Sequence, residues 1–151
     1  MATIVSPASM KIAAPRAIGL GVAGGLVGGV IFGMLMAMMN MLPMVASLVG
    51  SQDALIGFGV HLAISAGAGL VYGLAVAALP LLVASPLAAV ASGAAYGVIW
   101  WIGGALIAMP LMLGMNEMVF AIDNTALMSL LGHVVFGVTA GLFVHLGARR
   151  G

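Results

Sequence analysis

The amino-acid sequence predicts an all-α, polytopic membrane protein: a four-helix transmembrane bundle built from two parallel two-helix repeats. Three observations carry this expectation. Of 151 residues, 64% are hydrophobic and only 5% are charged, with mean hydropathy +1.33, whereas soluble domains run about half apolar and about a quarter charged. The apolar residues fall in four blocks, each about the twenty residues that a helix needs to cross a hydrocarbon core of about 30 Å. Polar punctuation is confined to residues 51–53, 80–86 and 116–124, between the blocks. The same composition excludes disorder, because so much apolar surface cannot stay solvated. The absence of cysteine excludes disulfides and thiolate chemistry. Four basic residues against three acidic ones leave no electrostatic footprint for nucleic acid.

The first block covers residues 17–40, with a possible continuation past Pro43 to residue 49. The second covers 54–79, the third 87–109 and the fourth 125–146. Strands would have to close into a barrel with polar/apolar alternation, which is missing here, so each block is read as helix. The whole chain, 1–151, then forms one transmembrane domain. Its basic residues, Lys11, Arg16, Arg149 and Arg150, lie outside the first and last blocks, and its acidic residues, Asp53, Glu117 and Asp123, lie in the first and third loops. Four crossings put both termini on one side, and the positive-inside rule makes that side the cytoplasm, in the cytoplasmic (inner) membrane. A secretory signal peptide is the rival reading for the first fifty residues, but its apolar run is too long.

The second and fourth blocks align without gaps at an offset of 72. Ala54, Leu55, His61, Ala68, Gly69, Leu70 and Leu74 match Ala126, Leu127, His133, Ala140, Gly141, Leu142 and Leu146. The first and third match more weakly, through Gly29-x-x-Phe32-Gly33 and Gly93-x-x-Tyr96-Gly97. A duplication would give repeats at about 17–79 and 87–147, related by a pseudo-twofold axis along the membrane normal. Small residues recur every four positions in all four blocks, including Gly25, Gly29, Gly33, Gly69, Gly73, Gly93, Gly97, Gly137 and Gly141. Hydrocarbon supplies little hydrophobic drive between helices, so close backbone approach over such residues is expected to hold the bundle together.

His61 lies eight residues beyond Asp53, and His133 nine beyond Asn124. At 1.5 Å per residue both stand roughly 12 to 14 Å deep, near the midplane. Neither has a carboxylate at its depth, so both are expected as neutral imidazoles. Three readings follow. The imidazoles could bond across helices to Ser65, Tyr96, Ser129 or a carbonyl. They could be axial ligands of a haem b or a chlorin, with Tyr96, Trp100 and Trp101 lining the pocket. They could mark a polar transport path, although such paths carry more polar groups than are present here. His145, beside Arg149 and Arg150, is expected at the cytoplasmic interface.

Methionines cluster twice, at Met34, Met36, Met38, Met39, Met41 and Met44, and at Met109, Met112, Met115 and Met118. Thioethers select Cu(I), but methionine also fills irregular gaps in glycine-rich packing. In the sequence no histidine or cysteine stands near either cluster to support a metal.

The stretches Met41-Leu-Pro-Met-Val-Ala-Ser-Leu-Val-Gly50, Val60-His61-Leu62, Tyr96-Gly-Val-Ile-Trp-Trp101, Met109-Pro-Leu-Met-Leu-Gly114 and Leu131-Gly-His-Val134 resemble a group of small four-span prokaryotic membrane proteins. More distantly they resemble the YagU-like inner-membrane proteins. The resemblance covers about residues 24–146 and implies the four-span architecture, but no activity and no functional residues. There is no acid/base pair at one depth, no Ser-His-Asp arrangement and no phosphate-binding loop. The expectation is therefore a non-enzymatic bundle in the lipid bilayer, a homo-oligomer or an accessory subunit beside other membrane subunits. A haem- or chlorin-binding protein is second, and a small transporter or channel third.

Overall fold

The computed structural model describes residues 12–150, of which 84% are helical and none are in strands. The order is α1 (Ala14–Met38), α2 (Leu42–Ala46), α3 (Ala54–Ala78), α4 (Pro86–Trp100), a π-helical stretch (Trp101–Ala108), α5 (Met109–Met112) and α6 (Asn124–Ala148). Single 3-10 turns at Ser47–Val49, Pro80–Val83 and Asn116–Met118 join them. Four helices are long and apolar enough to cross a membrane: Ala14–Met38, Ala54–Ala78, Pro86–Met112 and Asn124–Ala148.

Local chemistry places the ends. Asp53 Oδ1 accepts the Leu55 and Ile56 amides at 2.7 and 3.1 Å, and Asp123 Oδ1 accepts the Ala126 amide at 2.8 Å. Each carboxylate thus caps a helix whose first amides lack intrahelical partners. Ser85 Oγ does the same for Ala88. The first apolar block does not run on to residue 49. Asn40 takes a left-handed conformation, φ 55°, and the Met41 amide reaches back to the Met36 carbonyl at 2.9 Å while that of Asn40 reaches Ala37. That is a Schellman end, with Met36 and Met41 packed in one cluster. α2 then folds back so that the Leu42 carbonyl lies against Gly57.

The third block is longer than its apolar run suggests, and its outer half is not α-helical. Pro110 has no amide to give Leu106, four residues before it. The Leu106 carbonyl is taken instead by the Phe120 amide at 3.1 Å, from the returning loop. The preceding residues, Trp101–Ala108, are wound as π-helix.

The four long helices run up and down, with the start of α1 and the end of α6 at one end and the α2 and α5 loops at the other. At the terminal end Arg16 donates to the Gly147 carbonyl at 2.9 Å, a cation at the negative end of α6. Arg149 and Arg150 share that end, whereas Asp53, Glu117 and Asp123 stand at the opposite one. Lys11 lies outside the described residues. The lateral order is α3–α1–α6–α4, and glycines set it. Gly21 and Gly25 lie against the backbone of Gly69 and Gly73, Gly29 against Ser65, and Gly33 against Phe58 and His61. On the other side Gly93 meets Gly137, Gly97 meets His133, and Gly141 meets Ala89. In the middle Gly24 faces Ala140, Gly28 faces Phe136, and the Phe32 ring lies over Gly132.

α3 and α4 close the arc differently. They touch through long side chains: Tyr72 Oη and Ser92 Oγ share a hydrogen bond of 2.8 Å, Ser92 donates to the Leu82 carbonyl, and Tyr96 Oη donates to the Ala68 carbonyl.

Candidate functional site

On the loop side of the Tyr72–Tyr96 layer, where α3 and α4 stand apart, the bundle holds a cavity of about 490 Å³. Small-molecule sites fall in this size range and are mostly apolar with a few placed polar groups. Here α1, α3 and α6 supply Phe32, Met36, His61, Ser65, Ser129, His133 and Phe136; the opposite wall comes from Trp100, the π-helical stretch and α5.

Both histidines, His61 and His133, therefore reach one space, and each is held by a backbone carbonyl. His61 Nε2–H donates across helices to Gly29 at 3.0 Å. His133 Nδ1–H donates to the Ser129 carbonyl of its own helix at 2.7 Å, with Ser129 Oγ at 3.3 Å from the same nitrogen. A carbonyl can only accept, so these contacts fix the neutral tautomers. His61 Nδ1 and His133 Nε2 have no partner among the described residues, and neither is sealed in protein.

The rings do not face one another across an open slot. Phe32 lies edge-on to both, its centroid 5.0 Å from that of His61 and 4.8 Å from that of His133. A flat macrocycle spanning the two imidazoles would have to displace this ring, which is 5% exposed and packed over Gly132.

Of the aromatic residues expected to line a pocket, Trp100 does so. Tyr96 sits below the cavity, tied to Ala68 and against Trp100. Trp101 is not among the lining residues; it donates Nε1–H to the carbonyl of Ala126, which is one of them. His145, in the last turn of α6, is 2% exposed, because the Pro80–Val83 turn tucks under the bundle and its Val83 carbonyl accepts Nδ1–H at 2.7 Å. Its Nε2 is the one fully buried side-chain polar atom without a partner among the described residues.

The methionine clusters, seventy residues apart in sequence, meet at this cavity. Met36, Met41 and Met44 line it from one side and Met109, Met112, Met115 and Met118 from the other, whereas Met34, Met38 and Met39 do not. Among the described residues no three His, Cys, Asp or Glu side chains converge as a metal site. Phe32 was not singled out as a site residue by sequence reasoning. The available signal was the match of Phe32 with Tyr96, which pairs one aromatic per repeat beside the glycine stripe. Compared with family models, curated proteins and solved structures, the chain finds no match in any of the three.

Proposed function

We propose that this chain is a multi-pass protein of the cytoplasmic membrane, with both termini cytoplasmic, that works without catalysis as a packing subunit beside itself or other membrane subunits. The observation that carries the reading is the outer surface of α4. Pro86–Met112 buries a smaller share of its residues than any of the other three long helices. It presents Leu87, Ala91, Ala95 and Ile99 outward at intervals of four, an apolar face whose two central alanines leave room for the close helix approach seen in lipid. Apolar side chains such as Met38, Leu55 and Leu87, each more than three-quarters exposed, favour hydrocarbon over water as the surrounding medium.

The two-repeat architecture is part of the proposal, and contacts support it. Gly29–Ser65, Gly33–His61 and Gly25–Gly69 in one helix pair correspond, at offsets of 64 and 72, to Gly93–Gly137, Gly97–His133 and Ala89–Gly141 in the other. The close α1–α6 contact has no such counterpart. Its Gly24, Gly28 and Gly132 correspond to Ala88, Ser92 and Val60. At the corresponding α3–α4 seam Ser92 reaches Tyr72 through a hydrogen bond instead of a backbone contact, and the cavity opens on the loop side of that bond.

The test combines topology and assembly. Reporter fusions should place residues 51–53 and 116–124 outside and both termini inside. Native mass spectrometry in mild detergent should find more than one chain per particle, and Ala91→Trp with Ala95→Trp should reduce it to one. A chain that stays monomeric, or remains assembled in the double variant, would overturn the subunit reading.

A further inference from the structure

We propose that the cavity is a site for a monovalent soft metal ion, Cu(I), drawing its ligands from Met36, Met109 and His133. This goes beyond the subunit reading and does not depend on it. His133 supplies the nitrogen. Metal-binding imidazoles nearly always donate their second ring N–H to a carbonyl or carboxylate, which fixes ring orientation and raises the basicity of the ligating nitrogen. His133 has this arrangement already, through the Ser129 carbonyl. It leaves the Nε2 lone pair unclaimed, on a residue that lines the cavity.

Sulfur supplies the other half. Met36 is buried one helical turn beyond Phe32, the ring that touches both imidazoles, and Met109 packs against the same cluster from the opposite wall. Met41, Met44, Met112, Met115 and Met118 continue the thioether lining. The sequence lacked a histidine beside the methionines; the fold brings His133.

Charge and softness choose the ion. Asp123 is the one acidic side chain along the cavity, and its Oδ1 is engaged in capping α6. A divalent ion would enter an apolar site with no nearby thiolate and one occupied carboxylate to offset it, and the penalty for burying charge rises with its square. A monovalent ion avoids most of that penalty. Thioether and imidazole are soft and borderline ligands that suit Cu(I) and give poor sites for Mg²⁺ or Ca²⁺. Binding needs no electron transfer and releases no proton, because the ligating Nε2 of His133 is already bare.

The full chain in detergent is titrated with Ag(I), a redox-stable stand-in, and with Cu(I) under ascorbate against a chromogenic Cu(I) chelator. One equivalent is expected to bind saturably, with sulfur and nitrogen scatterers in the X-ray absorption spectrum. Met36→Leu with Met109→Leu, which conserve volume, should weaken binding at least tenfold without moving the unfolding midpoint, and His133→Ala should do likewise. Met34→Leu with Met38→Leu, on sulfurs outside the cavity, should change nothing. Absence of saturable binding, or an equal loss in the Met34/Met38 control, would overturn the proposal. So would metal bound with full affinity in the Met36/Met109 variant.

Discussion

Replacing Gly97 by alanine tests the helix packing at one of its tightest backbone contacts. A Cβ there would stand 2.7 Å from the His133 carbonyl carbon and 3.1 Å from Val134 Cα. Carbon atoms rest at about 3.5–4.0 Å, so α4 and α6 must separate locally by about 0.8 Å or more. Both obstructing atoms are backbone, and no rotamer change relieves them. A gap of that size forfeits about a quarter to a half of the dispersion energy of each contact it opens, and overpacking of this kind costs about 1–3 kcal/mol. The matched control is Gly67→Ala, where a Cβ meets nothing within 4 Å and the gain in helix propensity is up to about 1 kcal/mol. The two variants should therefore differ by about 2–3 kcal/mol. Reversible unfolding in mixed detergent–dodecyl sulfate micelles measures this through the intrinsic fluorescence of Trp100 and Trp101, both on the affected helix. A difference within about 0.5 kcal/mol, the usual range for an uneventful surface change, would refute the claim that backbone contact sets the α4–α6 spacing.

Loss of the Asp53 or Asp123 carboxylate, by substitution to alanine, should lower stability by about 1 kcal/mol each, and an unchanged unfolding midpoint would contradict their capping role. Phe32→Ala should cost about 3–5 kcal/mol by the same assay. Gly132→Ala should be strongly destabilising with Phe32 present and tolerated in the Phe32→Ala background, since the added methyl meets only that ring; additive effects would show that the two do not touch. Ser92→Ala should destabilise by about 0.6–2 kcal/mol, and Tyr72→Phe on top of it should add little, because both remove the same hydrogen bond.

What could be read from the sequence was whatever depends on near neighbours. Block lengths, the acidic caps and the four-residue spacing of glycines are local properties, and the four long helices follow them within a few residues. The π-helical stretch is not local. Its outer end is governed by Pro110 together with Phe120, whose amide comes back to Leu106 from beyond the turn. His145 shows the same limit. Its position beside two arginines gives its place near the end of α6 but not its burial, since the carbonyl that covers it belongs to Val83, 62 residues earlier. The cavity was legible in parts, as two histidines and two methionine clusters. Their convergence depends on the α1–α6 approach, and on Phe32 lying against both of the rings that sequence spacing puts at one depth.

The arc of helices has a mechanical consequence. Three of its seams are zipped by backbone lying on glycine, and these cannot open by degrees without losing contact along their length. The fourth, between α3 and α4, is fastened by tyrosine hydroxyls, each hydrogen bond contributing on the order of 0.6–2 kcal/mol in such surroundings. Compliance is therefore concentrated in one seam, as in a book with a stiff spine and two light clasps. Strain applied to this molecule, from a neighbour or from the lipid around it, is released first at the Tyr72 and Tyr96 clasps.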